Sequence, residues 1–129
     1  QEARAAAVRM KHNVVRDVVK GKRVVLVDDS LIRGTTTNAL GRELRNAGAL
    51  EVHLRIACPP TRHPCVYGVD FPRREELMAH NYSLEEIRAH LDMDSLGYLS
   101  LDGMTGLFGD GAGSFCTACW SGDYRALDE

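Results

Sequence analysis

The stretch Val24-Val25-Leu26-Val27-Asp28-Asp29-Ser30-Leu31-Ile32-Arg33-Gly34-Thr35-Thr36-Thr37 decides how the rest of the chain is read. Its four leading apolar residues, mostly β-branched, predict a short strand buried on both faces, as in a parallel sheet covered by helices. Two carboxylates follow at the C-terminal end of that strand, the end at which open α/β sheets bind ligands. A glycine and three hydroxyls then lead into a helical pattern.

Working outward, residues 35–47 predict a helix with Ala39, Leu40, Leu44 and Ala47 on one stripe, Arg42, Glu43 and Arg45 opposite, and Gly48 as its C-cap. Residues 51–57 alternate Val52, Leu54 and Ile56 and predict the next strand, so the span is one right-handed βαβ unit. Upstream, residues 13–20 form a short amphipathic piece ended by Gly21. Residues 1–13 are Ala-rich and then basic, a frayed helix or a loop whose cations Arg9, Lys11 and His12 on sequence alone read as a solvated face. Downstream, Cys58-Pro59-Pro60 stops the second strand and opens a loop through Pro64, Cys65, Gly68 and Pro72. A helix follows over residues 74–80. Ser83-Leu84-Glu85-Glu86 is a capping-box pattern that starts another helix running to Leu91. Residues 96–99 predict a last short strand, 101–108 a weak helix, and 109–114 a Gly-rich, mobile linker.

The turn after the first strand is suited to a phosphorylated sugar. Backbone N–H groups at a tight turn, reinforced by the positive end of the following helix, make an anion site, and threonine hydroxyls add donors. Gly34 lets the chain come close. Asp28 and Asp29 can accept hydrogen bonds from a ribose diol, or bind Mg²⁺ directly or through water. Diol at one end and phosphate at the other describe ribose 5-phosphate. A Walker loop would need a lysine before its hydroxyl and has none here. A receiver domain also begins with a strand ending in an acid pair, but it does not account for Arg33-Gly34-Thr35-Thr36-Thr37, and Asp70, in a Pro-flanked loop, is a poor phosphoacceptor.

The chain has 129 residues, 44% of them hydrophobic, and a formal charge of −2, so one small domain can bury a core and nothing suggests a nucleic-acid or membrane partner. The opening residues Gln1-Glu2-Ala3-Arg4 have neither a signal peptide's apolar core nor an initiator Met, and the chain reads as the tail of a longer protein. Four cysteines in such a chain are thiols or ligands rather than disulfides if the protein is cytosolic. Cys116 and Cys119 form a Cys-x-x-Cys loop that can share a metal ion or a cluster. With Cys58 and Cys65 a four-Cys zinc site can be drawn, and two unligated thiols remain an alternative.

Residues 24–37 resemble, nearly residue for residue, the phosphoribosyl pyrophosphate (PRPP) motif of type I phosphoribosyltransferases. The resemblance implies Asp28 and Asp29 on the ribose hydroxyls and Mg²⁺, with Thr35, Thr36 and Thr37, and the turn residues Ser30, Arg33 and Gly34, around the 5-phosphate. Val8-Arg9-Met10-Lys11 matches a mobile loop that closes over PRPP, which implies Arg9 and Lys11 on the pyrophosphate. Four further segments narrow the resemblance to the glutamine PRPP amidotransferase family, in its iron-sulfur branch. They are His63-Pro64-Cys65-Val66-Tyr67-Gly68-Val69-Asp70, the helix opening at Ser83, Asp94-Ser95-Leu96-Gly97-Tyr98-Leu99-Ser100 and the Cys-x-x-Cys-x-x-Gly-Asp-Tyr tail.

The fold this implies is α/β. Residues 1–100 would be the C-terminal part of a type I phosphoribosyltransferase fold, a parallel sheet with flanking helices, followed over 101–129 by a helical, Cys-containing tail. Cys65, Cys116 and Cys119 would hold a [4Fe-4S] cluster with a fourth ligand upstream of Gln1, and Cys58 would be a buried thiol at a strand end. The family's N-terminal glutaminase domain is expected to be absent from this chain. For the complete enzyme the resemblance implies transfer of glutamine-derived ammonia to PRPP, giving 5-phosphoribosylamine, glutamate and pyrophosphate at the start of purine synthesis. Mg²⁺, purine nucleotide inhibitors, a homo-oligomer and a cytoplasmic location go with it. The fragment alone is expected to be inactive. Another PRPP-dependent transferase or a non-catalytic PRPP-binding regulator is the alternative.

Overall fold

The computed structural model of the chain describes residues 14–69 and 73–124, and at its centre lies a three-stranded parallel sheet in the order β1-β2-β3. β1 spans Arg23–Asp28, β2 Glu51–Ile56 and β3 Ser95–Tyr98. Asp28 stands opposite Ile56, and Ile56 opposite Tyr98, so the C-terminal ends of all three strands meet at one edge. The predicted βαβ unit is present, with helix α2 (Thr35–Asn46) between β1 and β2 after a single helical turn, α1 (Arg16–Val19), ahead of β1. Of the described valines before β1, Val14 and Val19 pack on the core, while Val15 and Val18 are exposed.

Local chemistry explains where these elements stop and start. At the end of α2 the Ala49 N–H donates to the Leu44 carbonyl (3.1 Å) and the Gly48 N–H to the Arg45 carbonyl (2.9 Å). This is the Schellman pattern, and Gly48 takes the left-handed conformation that it requires, at φ 96°. Helix α4 (Leu84–His90) opens on a complete capping box: the Glu86 N–H donates to Ser83 Oγ, and the Glu86 carboxylate accepts the Ser83 N–H at 2.8 Å.

Two expectations change downstream. The helix predicted over 74–80 divides into a 3-10 turn (Arg74–Glu76) and α3 (Met78–Asn81). Between them Leu77 is extended and fully buried, because a side chain that must reach the core interrupts the helical rise. The weak helix predicted over 101–108 is α-helical as α5 (Leu101–Thr105) and 3-10 beyond it, and α5 is capped by Ser100 Oγ, which accepts the Gly103 N–H at 3.0 Å. The Gly-rich stretch 109–114 falls within a run of 3-10 turns (Gly106–Ser114) kinked at Gly109, with Phe108 against Phe115, ring centres 4.2 Å apart.

The core lies on one face of the sheet. Val52, Leu54 and Ile56 of β2 and Leu96 of β3 pack with Leu44, Met78, Ile87, Leu91 and Met93. The other face is polar: Arg23 Nε donates to Glu51 Oε2 (2.6 Å), His53 bridges Glu51 (2.8 Å) and Ser95 (2.9 Å), and Arg55 donates to Ser95 Oγ (3.0 Å). β1 therefore departs from the two-sided burial its sequence predicts. Val24 and Leu26 pack on the core, whereas Val25 is 58% and Val27 67% exposed, since among the described residues β1 has a strand on one side only and no helix over that face.

Candidate functional site

The acid pair sits where the strand pattern places it. Asp28 closes β1, and its carbonyl accepts the Ala57 N–H at 2.9 Å, a last rung that fixes the first acid against the end of β2. The Asp29 N–H donates to Asp28 Oδ1 (3.0 Å) and Ser30 Oγ donates to Asp29 Oδ1 (3.2 Å). Leu31, 2% exposed, then plunges into the core, and the Ile32 carbonyl accepts the Met78 N–H at 2.9 Å. These anchors turn the chain without using the polar side chains that flank them.

Gly34 makes the turn into α2. It is left-handed at φ 72°, and a Cβ there would run into the Met78 sulfur and stand 3.0 Å from Leu91 Cδ2. No side chain caps α2. Its first helical bond is Asn38 N–H to the Gly34 carbonyl (2.8 Å), so the N–H groups of Thr35, Thr36 and Thr37 have no partner within the helix. Together with the helix dipole they form a site for an anion. The Thr35 and Thr36 side chains are exposed at this end, while Thr37 is 3% exposed, turned into the core, and offers the turn its backbone. Arg33 points aside, its Nε 2.7 Å from Glu76 Oε2. Both partners are about half exposed, so this pair contributes at most about 1 kcal/mol and a ligand anion can compete for it. A groove of about 420 Å³ runs from Arg33 and Thr35 along Asn38 and Arg42 to His90.

The second candidate centre is the cysteine tail. Helix α6 (Ala118–Ser121) folds back on the loop after β2, where the Cys119 carbonyl accepts the N–H groups of both Arg62 and His63 at 3.1 Å. Tyr124 Oη donates to the Pro64 carbonyl (2.6 Å), and Gly122, at φ 78°, leaves room for the His63 ring, which a Cβ would approach to 2.9 Å. All four cysteines are free: Cys58 buried, Cys65 and Cys119 half-buried, Cys116 exposed. Burial raises the Cys119 thiol pKa, and the nearby Cys116 and Cys65 thiols add to the effect. The Tyr67 N–H donates to Cys65 Sγ at 3.4 Å. A cavity of about 780 Å³ lies between α5 and the tail, lined by Tyr67, Leu101, Thr105, Phe115, Cys116 and Asp123. Among the described residues no group of three or more His, Cys, Asp or Glu is placed to hold a metal ion. Arg9 and Lys11 lie outside the described residues.

Known proteins share both the sequence and the fold of this chain. No protein-family model matches the chain. It is 48% identical over 124 residues to an amidophosphoribosyltransferase of Methanothermobacter thermautotrophicus, covering 96% of this chain and 26% of that protein. It is 51% identical over 129 residues to a chloroplastic amidophosphoribosyltransferase of Glycine max, covering 100% of this chain and 23% of that one. The structure of glutamine PRPP amidotransferase from B. subtilis, complexed with ADP and GMP, superposes with a TM-score of 0.79 at 44% identity over 92% of this chain and 28% of that one. This chain is an amidophosphoribosyltransferase homologue. It spans about a quarter of the length of the amidophosphoribosyltransferases it matches, and its three-stranded α/β architecture is that of the matching part of the B. subtilis enzyme.

The sequence did not point to several residues that support these two candidate centres: Met78 and Leu91 under Gly34, Glu76 beside Arg33, and Trp120 in the tail. The apolar pair Leu31-Ile32, inside an otherwise polar turn, was the available signal that the turn is anchored from below.

Proposed function

We propose that this chain is the PRPP-binding part of an enzyme that transfers glutamine-derived ammonia to PRPP, giving 5-phosphoribosylamine and pyrophosphate. The observation that carries the reading is the continuous run from an acid pair at a strand end, through left-handed Gly34, to three N–H groups without a helical partner at the start of α2. Those N–H groups and the Thr35 and Thr36 hydroxyls would take the 5-phosphate, and Asp28 and Asp29 the ribose hydroxyls. Held at both ends, the sugar presents its anomeric carbon in one orientation, and positioning of this kind can supply much of a displacement barrier. No proton need pass to or from these residues.

The two carboxylates also offer the hard oxygen donors that Mg²⁺ takes. When bound, the ion would offset negative charge on the diphosphate leaving group. Arg9 and Lys11 are proposed for the same end of PRPP. Cys65, Cys116 and Cys119, on two segments pinned to each other, are the soft donors that an iron-sulfur cluster takes. We assign them a [4Fe-4S] cluster with a fourth ligand outside this set and a structural role. Purine nucleotides are proposed as regulators. For the compartment, the free thiols suit a reducing one, read here as the cytoplasm. No helix among the described residues is long and apolar enough to cross a membrane.

The test uses the full-length protein. Asp29→Asn should weaken PRPP binding by about ten- to a hundredfold, the effect of losing a charged hydrogen-bond partner worth about 1.5–3 kcal/mol, while glutaminase turnover persists. An unchanged dissociation constant for PRPP would refute the assignment.

A further inference from the structure

The loop that carries Cys65 is shaped around one ring of the tail. Tyr124 stands edge-on to His63, ring centres 6.5 Å apart, and tilted against Tyr67 at 6.2 Å. It therefore packs on the residue two before Cys65 and on the residue two after it, both at separations where aromatic rings attract. Its hydroxyl donates to the Pro64 carbonyl at 2.6 Å, in the peptide that leads directly into Cys65. Ring and hydroxyl together grip the loop at three successive points, residues 63, 64 and 67.

That grip has a consequence at the sulfur. The Tyr67 N–H donates to Cys65 Sγ at 3.4 Å, a bond that requires the chain to turn back on itself between the two residues. The same loop is tied to the second thiol-bearing segment. Arg62 and His63 both donate to the Cys119 carbonyl at 3.1 Å, and left-handed Gly122 leaves room for the His63 ring. Tyr67 and Cys116 line one cavity of about 780 Å³, so the loop and the tail border a common space. Since no three ligating side chains among the described residues converge on a single ion, a polynuclear group is what segments so spaced can share.

We propose that Tyr124 is the positioning residue of this centre: its ring and hydroxyl fix the loop from His63 to Tyr67, which aims Cys65 and keeps the Tyr67 N–H on its sulfur. Tyr124 itself ligates nothing. Groups placed in this way orient a ligand and tune what it holds. A hydrogen bond to a ligating sulfur favours the more negative, reduced form of a cluster and so raises its reduction potential. The inference rests on the proposed [4Fe-4S] centre for its effect on a potential, and on protein contacts alone for its effect on the Tyr67 N–H.

The experiment compares full-length wild-type protein with Tyr124→Phe, Tyr124→Ala and, as a control, Tyr82→Ala, whose ring stacks on His90 instead. The midpoint potential of the cluster is measured in protein prepared without air, and solvent exchange of the Tyr67 amide is measured by NMR in metal-free protein. Tyr124→Phe removes the hydroxyl and keeps the ring. It should lower the potential and speed Tyr67 exchange by about two- to tenfold, the effect of one lost hydrogen bond. Tyr124→Ala should go further in both, and Tyr82→Ala should change neither. A residue that only anchored the tail would leave the potential of Tyr124→Phe at the wild-type value, and that result overturns the inference. So does unchanged Tyr67 exchange in Tyr124→Ala. Wild-type protein without iron and sulfide overturns the proposed cluster instead, and Tyr67 exchange in metal-free protein still decides the role of Tyr124.

Discussion

Between residues 28 and 37 the backbone does the positioning, whereas between residues 116 and 124 it falls to contacts with a distant loop. The turn is held by the register of β1 on β2, the left-handed Gly34 and the start of a twelve-residue helix, and the Thr35 and Thr36 side chains stay exposed. The tail is held by one carbonyl that accepts two N–H groups, by Tyr124 reaching Pro64 sixty residues away, and by Ala118 and Trp120. A site built the first way withstands loss of a side chain and fails when its backbone is disturbed. One built the second way should fail piece by piece.

The largest effect expected from that contrast is at Gly34. Gly34→Ala forces a side chain into a left-handed position and into the space of Met78 and Leu91, both buried. Strain of about 1–2 kcal/mol and overpacking of about 1–3 kcal/mol together predict a loss of roughly 2–5 kcal/mol in folding stability, with PRPP affinity falling as the turn shifts. Denaturant unfolding of the full-length variant checks this; wild-type stability would mean that the turn is not held by its backbone.

Next in size is Cys119→Ser. Full-length protein prepared without air should be brown, with iron and acid-labile sulfide in equal amounts. The variant should lose that colour and expose its tail to protease while the transferase core stays folded, because thiolate ligation couples metal occupancy to local folding. Zinc without sulfide in the wild type would assign the tail a zinc site. Loss of the core together with the tail would erase the distinction between the two regions.

The smallest effect is a pH dependence of the tail. His63, packed against Gly122 and Tyr124, is held below the ordinary imidazole range by burial first and then by Arg74, His80 and Arg62. The folded state therefore binds fewer protons than the unfolded one just below the ordinary pKa of about 6.5. Tail docking should be at full strength above that value and weaken as the pH falls through it. Proteolysis of the tail across this range should accelerate toward acid, and His63→Gln should flatten the profile; a profile unchanged by the substitution would place the titrating group elsewhere.

How much of this was legible in the sequence follows the same division. The Gly48 cap, the Ser83–Glu86 box, the alternation along β2 and the acids at the end of β1 are local patterns, and each appears as read. The missed features are non-local. Among the described residues β1 has a strand on one side only, and nothing within 24–27 reports which partners a strand will have, so the exposure of Val25 and Val27 could not be read there. The break at Leu77 depends on how far the core lies from the 3-10 turn, and the partner of Arg33 is Glu76, forty-three residues on.

The bare side of β1 has a colloidal consequence. Among the described residues its outer edge pairs with no strand, and Val25 and Val27 stand beside that open row of N–H and carbonyl groups. An apolar, unprotected edge templates pairing with a second copy. Handled as an isolated 129-residue chain, the protein should scatter more light as its concentration rises, and Val25→Lys, which sets a charge on the exposed face, should keep it clear.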